Sequence, residues 1–238
     1  MKDALTIAKK EFLSSFNSPL AYIFIDVFLV VTGFLFYQNY FLYGQADMRQ
    51  FFGLIPWIFL FLIPAITMRV WAEEQKIGTV EILLTMPVKE TSLVVGKFLG
   101  AFFFLAAALL LSFMIPATVI WSGPADVGVI LASYLGALLM GAAYIALGVW
   151  VSSFTDNQIV AFIIAIVMTF AFFIVGQTFI LSVLPDFLTS FVRFLGLGTH
   201  FESISRGVVD SRDLLYYLSF IGFFLFLNVQ RVVGRRFK

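Results

Sequence analysis

Six long stretches of the chain carry no charge: Val27–Ala46, Gln50–Met68, Phe98–Ala125, Val127–Thr155, Asn157–Pro185 and Leu214–Gln230, each between 17 and 29 residues. A helix rises 1.5 Å per residue, so crossing roughly 30 Å of hydrocarbon takes about 20 apolar residues. Each stretch suffices for one crossing and none for two. Phe102–Met114, which reads FFFLAAALLLSFM, is apolar on every side, whereas a barrel strand alternates lipid-facing and lumen-facing positions. The pattern predicts an all-α membrane protein with six transmembrane helices at about 20–43, 54–71, 98–121, 128–152, 158–184 and 214–230, forming one transmembrane domain over residues 1–238.

Composition agrees. Of 238 residues 61% are hydrophobic and only 12% charged, about half the charge of a soluble domain. A soluble globular enzyme and a disordered chain are excluded, and a net charge of +1 leaves no basic face for nucleic acid. There is no cysteine, hence no disulfide framework or thiolate site. The charged first sixteen residues lack the apolar core of a removable signal peptide.

Six crossings put both ends on one side, together with the 72–97 and 153–157 loops. That side collects Lys2, Lys9, Lys10, Arg69, Lys76, Lys89, Lys97, Arg231, Arg235, Arg236 and Lys238, against Arg49, Arg193, Arg206 and Arg212 on the other. The positive-inside rule then predicts both termini in the cytoplasm. The expected location is a bacterial inner (plasma) membrane.

Three segments lie outside the spans. In residues 1–17, Leu5, Ala8, Phe12, Leu13 and Phe16 recur at helical spacing with Lys2, Lys9 and Lys10 off that stripe, the pattern of an interfacial helix. A solvated charged leader is the alternative. In the 72–97 loop, Gly78 can close one helix through a left-handed cap, Thr79 can start another, and Pro87 must stop it. A short helix over Thr79–Met86 follows, carrying an apolar strip of Val80, Leu83 and Leu84. It is too short to enter a membrane, so it packs on a partner surface or on this protein's own helix ends.

The third segment is the outer loop, 185–213. Its first half, PDFLTSFVRFLGLG, is too short to span and too apolar to be solvated, which predicts re-entrant or interfacial helices. Phe187, Phe191, Arg193 and Phe194 fall here. The polar second half holds His200, the chain's single histidine, followed by Glu202 and Arg206. The spacing suits an i,i+4 ion pair between Glu202 and Arg206 and no metal site.

No nucleophile elbow, zinc-binding helix or phosphate-cradling loop occurs. Gly96-Lys97 lacks both the earlier glycine and the following Ser/Thr of a P-loop, so no nucleotide site and no catalytic residue is expected. The single ionisable group within a span is Asp26. It is either a hydrogen-bonded or snorkelling residue near the interface, or one that faces a subunit contact or a pathway. Gly96-x-x-x-Gly100 is a small-residue packing motif.

The run PAITMRVWAEEQKIGTVEILLTMPVKETSLVVGKFLGAF, Pro64–Phe102, resembles the second-to-third-span region of ABC-2-type transporter permeases. KKEF at Lys9–Phe12 with SPLAY at Ser18–Tyr22 is similar to that family's N-terminal segment, and HFESISRGVVDSRDLLYYLS, His200–Ser219, to its last outer loop and sixth span. The likeness runs the length of the chain and is greatest to the compact permeases of gliding-motility and nitrous-oxide-reductase-maturation systems.

The resemblance implies a type V exporter-like half-transporter: this permease with a second copy or a homologous permease, above two cytoplasmic ABC ATPase subunits. ATP and Mg would sit on those subunits, with no cofactor in this chain. The Thr79–Met86 helix matches the family's coupling helix. Glu73, Glu74, Gly78, Thr79, Glu81 and Pro87 carry over by motif position, the acids as ion-pair partners of bases on the ATPase or on the N-terminal helix. The apolar half of the outer loop matches an extracellular gate. The implied function is ATP-driven export or flipping of an amphipathic or lipid-linked substrate. The alternative is mechanotransmission to an envelope machine without translocation, which would need an accessory subunit with a periplasmic domain. A non-ABC scaffold or ion-coupled carrier completes the readings.

Overall fold

The computed structural model describes residues 2–43, 48–85, 87–123, 125–183 and 185–236. Among them all regular structure is helical. Helix α1 (Lys2–Phe16) breaks at Asn17-Ser18, and Ser18 Oγ accepts the Leu20 N–H at 3.3 Å to cap α2 (Pro19–Tyr43). Proline as the first residue of α2 costs no hydrogen bond there. Next come α3 (Arg49–Thr67), α4 (Arg69–Ile77) and α5 (Thr79–Thr85), then α6 (Glu90–Ser112) and α7 (Met114–Ser122), which are near-continuous. Helix α8 (Val127–Ser152) is capped by the Asp126 carboxylate and α9 (Gln158–Ile174) by Asn157 Oδ1, the residue types that accept the free N–H groups of a first turn. Two short helices, α10 (Thr178–Leu181) and α11 (Asp186–Leu195), lead to α12 (Leu197–Ser205) and the long α13 (Ser211–Arg236).

Five helical stretches are long and apolar enough to cross a membrane: Pro19–Gln38, Arg49–Ile77, Glu90–Ser122, Val127–Ser152 and Ser211–Arg235. Helix α9, at 17 residues, is apolar but shorter. The expected crossing over 158–184 is therefore corrected: its helix stops at Ile174. The chain turns there because Gly176 passes against the backbone of Gly196, so closely that a Cβ on Gly176 would sit 3.0 Å from Gly196 Cα and 2.6 Å from Thr199 Cγ2. No charge marks this turn, so the uncharged run overshoots the helix. Conversely, α6 begins at Glu90 rather than near 98 and α13 at Ser211 rather than 214, because a helix need not end where the hydrocarbon does.

Helix α8 is the centre of the bundle. Residues from Gly141 to Val149 are buried without interruption, and α3, α6, α9, α12 and α13 pack around it. Helix α1 lies along α6, and the face it packs there overlaps the apolar stripe only in part. Ala4 and Ala8 are buried, Ile7, Phe12 and Phe16 partly so, while Leu5 and Leu13 are exposed. The cause is the Gly96-x-x-x-Gly100 pair: a Cβ on Gly96 would stand 2.7 Å from Ile7 Cβ and one on Gly100 2.6 Å from Glu11 Cβ. Backbones that approach this closely select small residues from the facing helix, which leaves Leu5 and Leu13 for the surroundings.

Gly96→Ala and Gly100→Ala should each lower the melting temperature of the detergent-solubilised protein and detach α1, costing about 1–3 kcal/mol by overpacking. Gly222→Ala, where an added Cβ meets nothing within 4 Å, should leave it unchanged or raise it. Equal melting of all three variants would refute this packing.

Candidate functional site

The candidate site is the corner where α3, α4, α5 and α6 meet α1. Met68 separates α3 from α4, and the joint is held from outside: Ser152 Oγ, at the end of α8, donates to Met68 O (2.8 Å) and accepts from the Trp71 and Ala72 N–H groups (3.1 and 3.2 Å). Gln75 of α4 donates to Ser152 O (3.3 Å) and accepts from Arg235 of α13 (3.0 Å). Gly78 then adopts φ +79°, closing α4 with a left-handed cap as its position in the sequence predicts, a conformation other residues enter with strain.

Behind this corner lies Lys97, a buried charge with only 1% of its surface exposed. Its Nζ donates to Glu74 Oε1 at 2.7 Å, to Val70 O at 3.0 Å and to Glu11 Oε1 at 3.3 Å, and it stands 4.9 Å from the centre of the Trp71 ring. One ammonium thus ties α6 to α4 and to α1. All three of its protons have acceptors, the condition under which a buried ion pair is tolerated. Beside it opens a 360 Å³ cavity lined by Lys10, Ser14, Arg69, Glu73 and Ile77, and the buried Glu74 Oε2 has no hydrogen-bond partner among the described residues.

The predicted site residues divide accordingly. Glu74 faces inward, and its basic partner is Lys97 of α6 rather than a residue of the N-terminal helix. Glu73, Gly78, Glu81 and Pro87 are exposed, and Thr79 is half-buried with its hydroxyl donating to Glu74 O at 3.4 Å. The apolar strip needs correction: Val80 is 8% exposed, against Trp71 and Val232, and Leu83 packs partly on the core. The Leu84 side chain and Met86 lie outside the described residues. Among the described residues of α4 and α5, the exposed large apolar side chains are Ile77 (67%) and Ile82 (61%), because α4 and α13 lie on the Val80 side of so short a helix.

Asp26, the eighth residue of α2, is exposed beside Tyr22, Ile23, Val27 and Val30. At the far end of the bundle, Phe187, Phe191, Arg193 and Phe194 of α11 are exposed, and Glu202 of α12 and Arg206 just after it are exposed with 3.9 Å between their charged groups. That i,i+4 pair is worth a few tenths of a kcal/mol, roughly. His200 is buried instead, Nδ1 lying 2.6 Å from Asp213 Oδ1 and Nε2 2.9 Å from Phe194 O. No group of His, Cys, Asp or Glu among the described residues has the arrangement to hold a metal ion.

Sequence reasoning missed Lys97, Ser152 and Asp213. Lys97 left a trace: a cation at the border of a 28-residue uncharged run, with acids available on two segments of the same predicted membrane side. Ser152 and Asp213 left none, since their partners are about 80 and 13 residues away with no periodicity to reveal them.

The apolar helices and polar end of this bundle define a multi-pass membrane protein. The profile of the ABC-2 family transporter proteins matches residues 5–224. The chain belongs to that family and is the membrane permease component of an ABC transporter, a component that partners an ABC ATPase subunit. No curated protein matches it.

Lys97→Met should destabilise the fold by about 3 kcal/mol, because Glu11 and Glu74 are left facing each other in a partly buried site. Adding Glu74→Gln should recover part of that loss. Thermal melting of the single and double variants reads the coupling, and additive losses would show that the two residues do not interact.

Proposed function

We propose that the chain is half of a six-span exporter in which the α4–α5 corner docks a separate cytoplasmic ATPase. The observation that carries this reading is the exposed Ile77/Ile82 pair, flanked by Glu73, Lys76 and Glu81, on a corner anchored to α1, α6, α8 and α13. Ile77 and Ile82 replace Val80 and Leu83 as the docking side chains. A rigid corner with an exposed apolar tip suits a surface that receives displacement from a partner. Glu11 of α1 and Arg235 of α13 both reach this corner, so the chain's two ends lie together. That proximity supports an even number of crossings, with α9 as the sixth at the lower limit of spanning length. The excess of Lys and Arg at this end favours the cytoplasm of a bacterial inner membrane. ATP and Mg belong to the partner subunit, and a second permease completes the complex. The apolar spans favour an amphipathic or lipid-linked substrate, and the α11–α12 hairpin is the outer gate.

Affinity purification from the native host, read by mass spectrometry, should recover a P-loop ATPase, and its absence would overturn the reading. Ile82→Asp should leave the permease folded, since the side chain is exposed, but reduce permease-stimulated ATP hydrolysis at least tenfold, roughly the cost of burying an unpaired carboxylate. Val80→Asp should instead impair folding. For the gate, Phe191→Cys in this cysteine-free chain should react with a membrane-impermeant thiol reagent at a rate that changes when ATP is supplied to the complex. A rate indifferent to nucleotide would remove the gate assignment.

A further inference from the structure

His200 sits where α11, α12 and α13 converge, and both of its ring nitrogens face oxygen atoms: Asp213 Oδ1 at 2.6 Å and Phe194 O at 2.9 Å. The ring stacks on Tyr216, centroids 3.9 Å apart, and is buried. A carbonyl oxygen accepts and never donates. The Nε2 contact therefore requires a proton on Nε2, and the Nδ1 contact requires a second proton between Nδ1 and the carboxylate, whichever of the two atoms carries it. A neutral imidazole beside an ionised Asp213 has only one proton for two acceptors. It would stay with the carboxylate, because that hydrogen bond is charge-assisted, leaving the Nε2 lone pair against the lone pairs of Phe194 O.

We infer that His200 and Asp213 form a proton-binding site that latches the outer hairpin to α13, and that loss of the site's second proton releases the end of α11. Few other ties hold this corner: Tyr216 donates to Leu195 O (2.6 Å) and packs its ring edge-on against Phe194, Tyr217 donates to Leu197 O (2.8 Å), and Thr199 donates to Arg193 O (2.9 Å). Removing the Phe194 O contact leaves the end of α11 held to α13 by one hydroxyl and one ring contact, and to α12 by the Thr199 hydroxyl. Asp213 Oδ2 is buried and without a hydrogen-bond partner among the described residues, so no second donor holds the carboxylate once the ring ceases to be a cation. The other titratable or charged groups around the ring are Tyr216, Tyr217 and Arg212 of α13, Tyr144 of α8, Arg193 of α11 and Glu202 of α12, and α9 contributes none. Arg193, Arg212 and Glu202 are exposed and their effect is screened by water and salt. The site thus answers to pH through the His200–Asp213 pair. The inference rests on the gate reading of the hairpin.

The test uses the permease alone in lipid nanodiscs, purified without a histidine tag. Because the chain has one histidine, labelling with ¹⁵N-histidine gives a single imidazole whose two nitrogens report their protons directly. As the pH is raised, Nε2 should lose its proton while Nδ1 keeps its own. Once rates are corrected for the intrinsic pH dependence of amide exchange, protection across residues 187–196 should fall about tenfold as that proton is lost, a change of about 1.4 kcal/mol in the opening equilibrium. Asp213→Asn should abolish that pH dependence, and Tyr216→Phe should raise exchange at every pH while preserving it. Should Asp213→Asn fail to fold, the wild-type titration decides alone. A ring carrying one proton at all pH values, or exchange that does not follow the ring's titration, would overturn the inference. Neither result depends on an ATPase, so failure here is separate from failure of the docking reading, and an intact latch with nucleotide-indifferent Phe191→Cys labelling would sink only the gate.

Discussion

A cation buried among apolar helices is tolerated only if every proton it carries finds an acceptor, and Lys97 meets that constraint through three acceptors on two other helices. Glu74 and the Val70 carbonyl come from α4, and Glu11 comes from α1. The arrangement dictates where α1 lies, because Glu11 reaches Nζ only when α1 runs flush along α6. That closeness in turn requires Gly96 and Gly100 on one side and Ala4 and Ala8 on the other. Backbone packing and charge satisfaction thus specify the same geometry from neighbouring positions, Gly96 and Lys97.

The corner that follows is an assembly of four anchors. Lys97 holds α4 from the α6 side, and Ser152 holds the α3–α4 joint from the end of α8. Arg235 holds Gln75 from α13, and Gly78 turns the chain so that α5 projects beyond the bundle. What projects carries Ile82 outward and Val80 inward. A displacement applied to α5 is therefore shared at once with the helices that frame the bundle. That is the property the proposed docking of an ATPase at this corner requires.

The legible part of this structure was what charge and helix signals encode. Runs without charge marked the apolar helices, five of which are long enough to cross a membrane among the described residues, Gly78 and Pro87 bounded α5, and the motif order pointed to the family that the chain's profile match establishes. What stayed hidden depends on two distant segments meeting. The fifth apolar run ends in a turn because Gly176 must pass Gly196, and glycine in an apolar run does not announce its neighbour. The stripe on α1 could not show that the helix also packs along α6, because that contact depends on two glycines of a distant segment. For Val80 the short apolar α5 left a partner surface and the protein's own helix ends as alternatives, and the fold places α4 and α13 on that side. His200, one polar residue in a polar loop, gave no sign that both of its nitrogens would be enclosed.

The central claim is that Lys97 makes α1, α4, α5 and α6 move as one body. Spin labels at Leu5 on α1 and Thr85 at the end of α5, both exposed, allow it to be tested by electron-electron distance measurement in nanodiscs. The account predicts a single narrow distance distribution in the otherwise native chain and a broad or split one in Lys97→Met, measured at a temperature where the variant remains folded. An equally narrow distribution in Lys97→Met would contradict it, showing that the corner is held by packing alone.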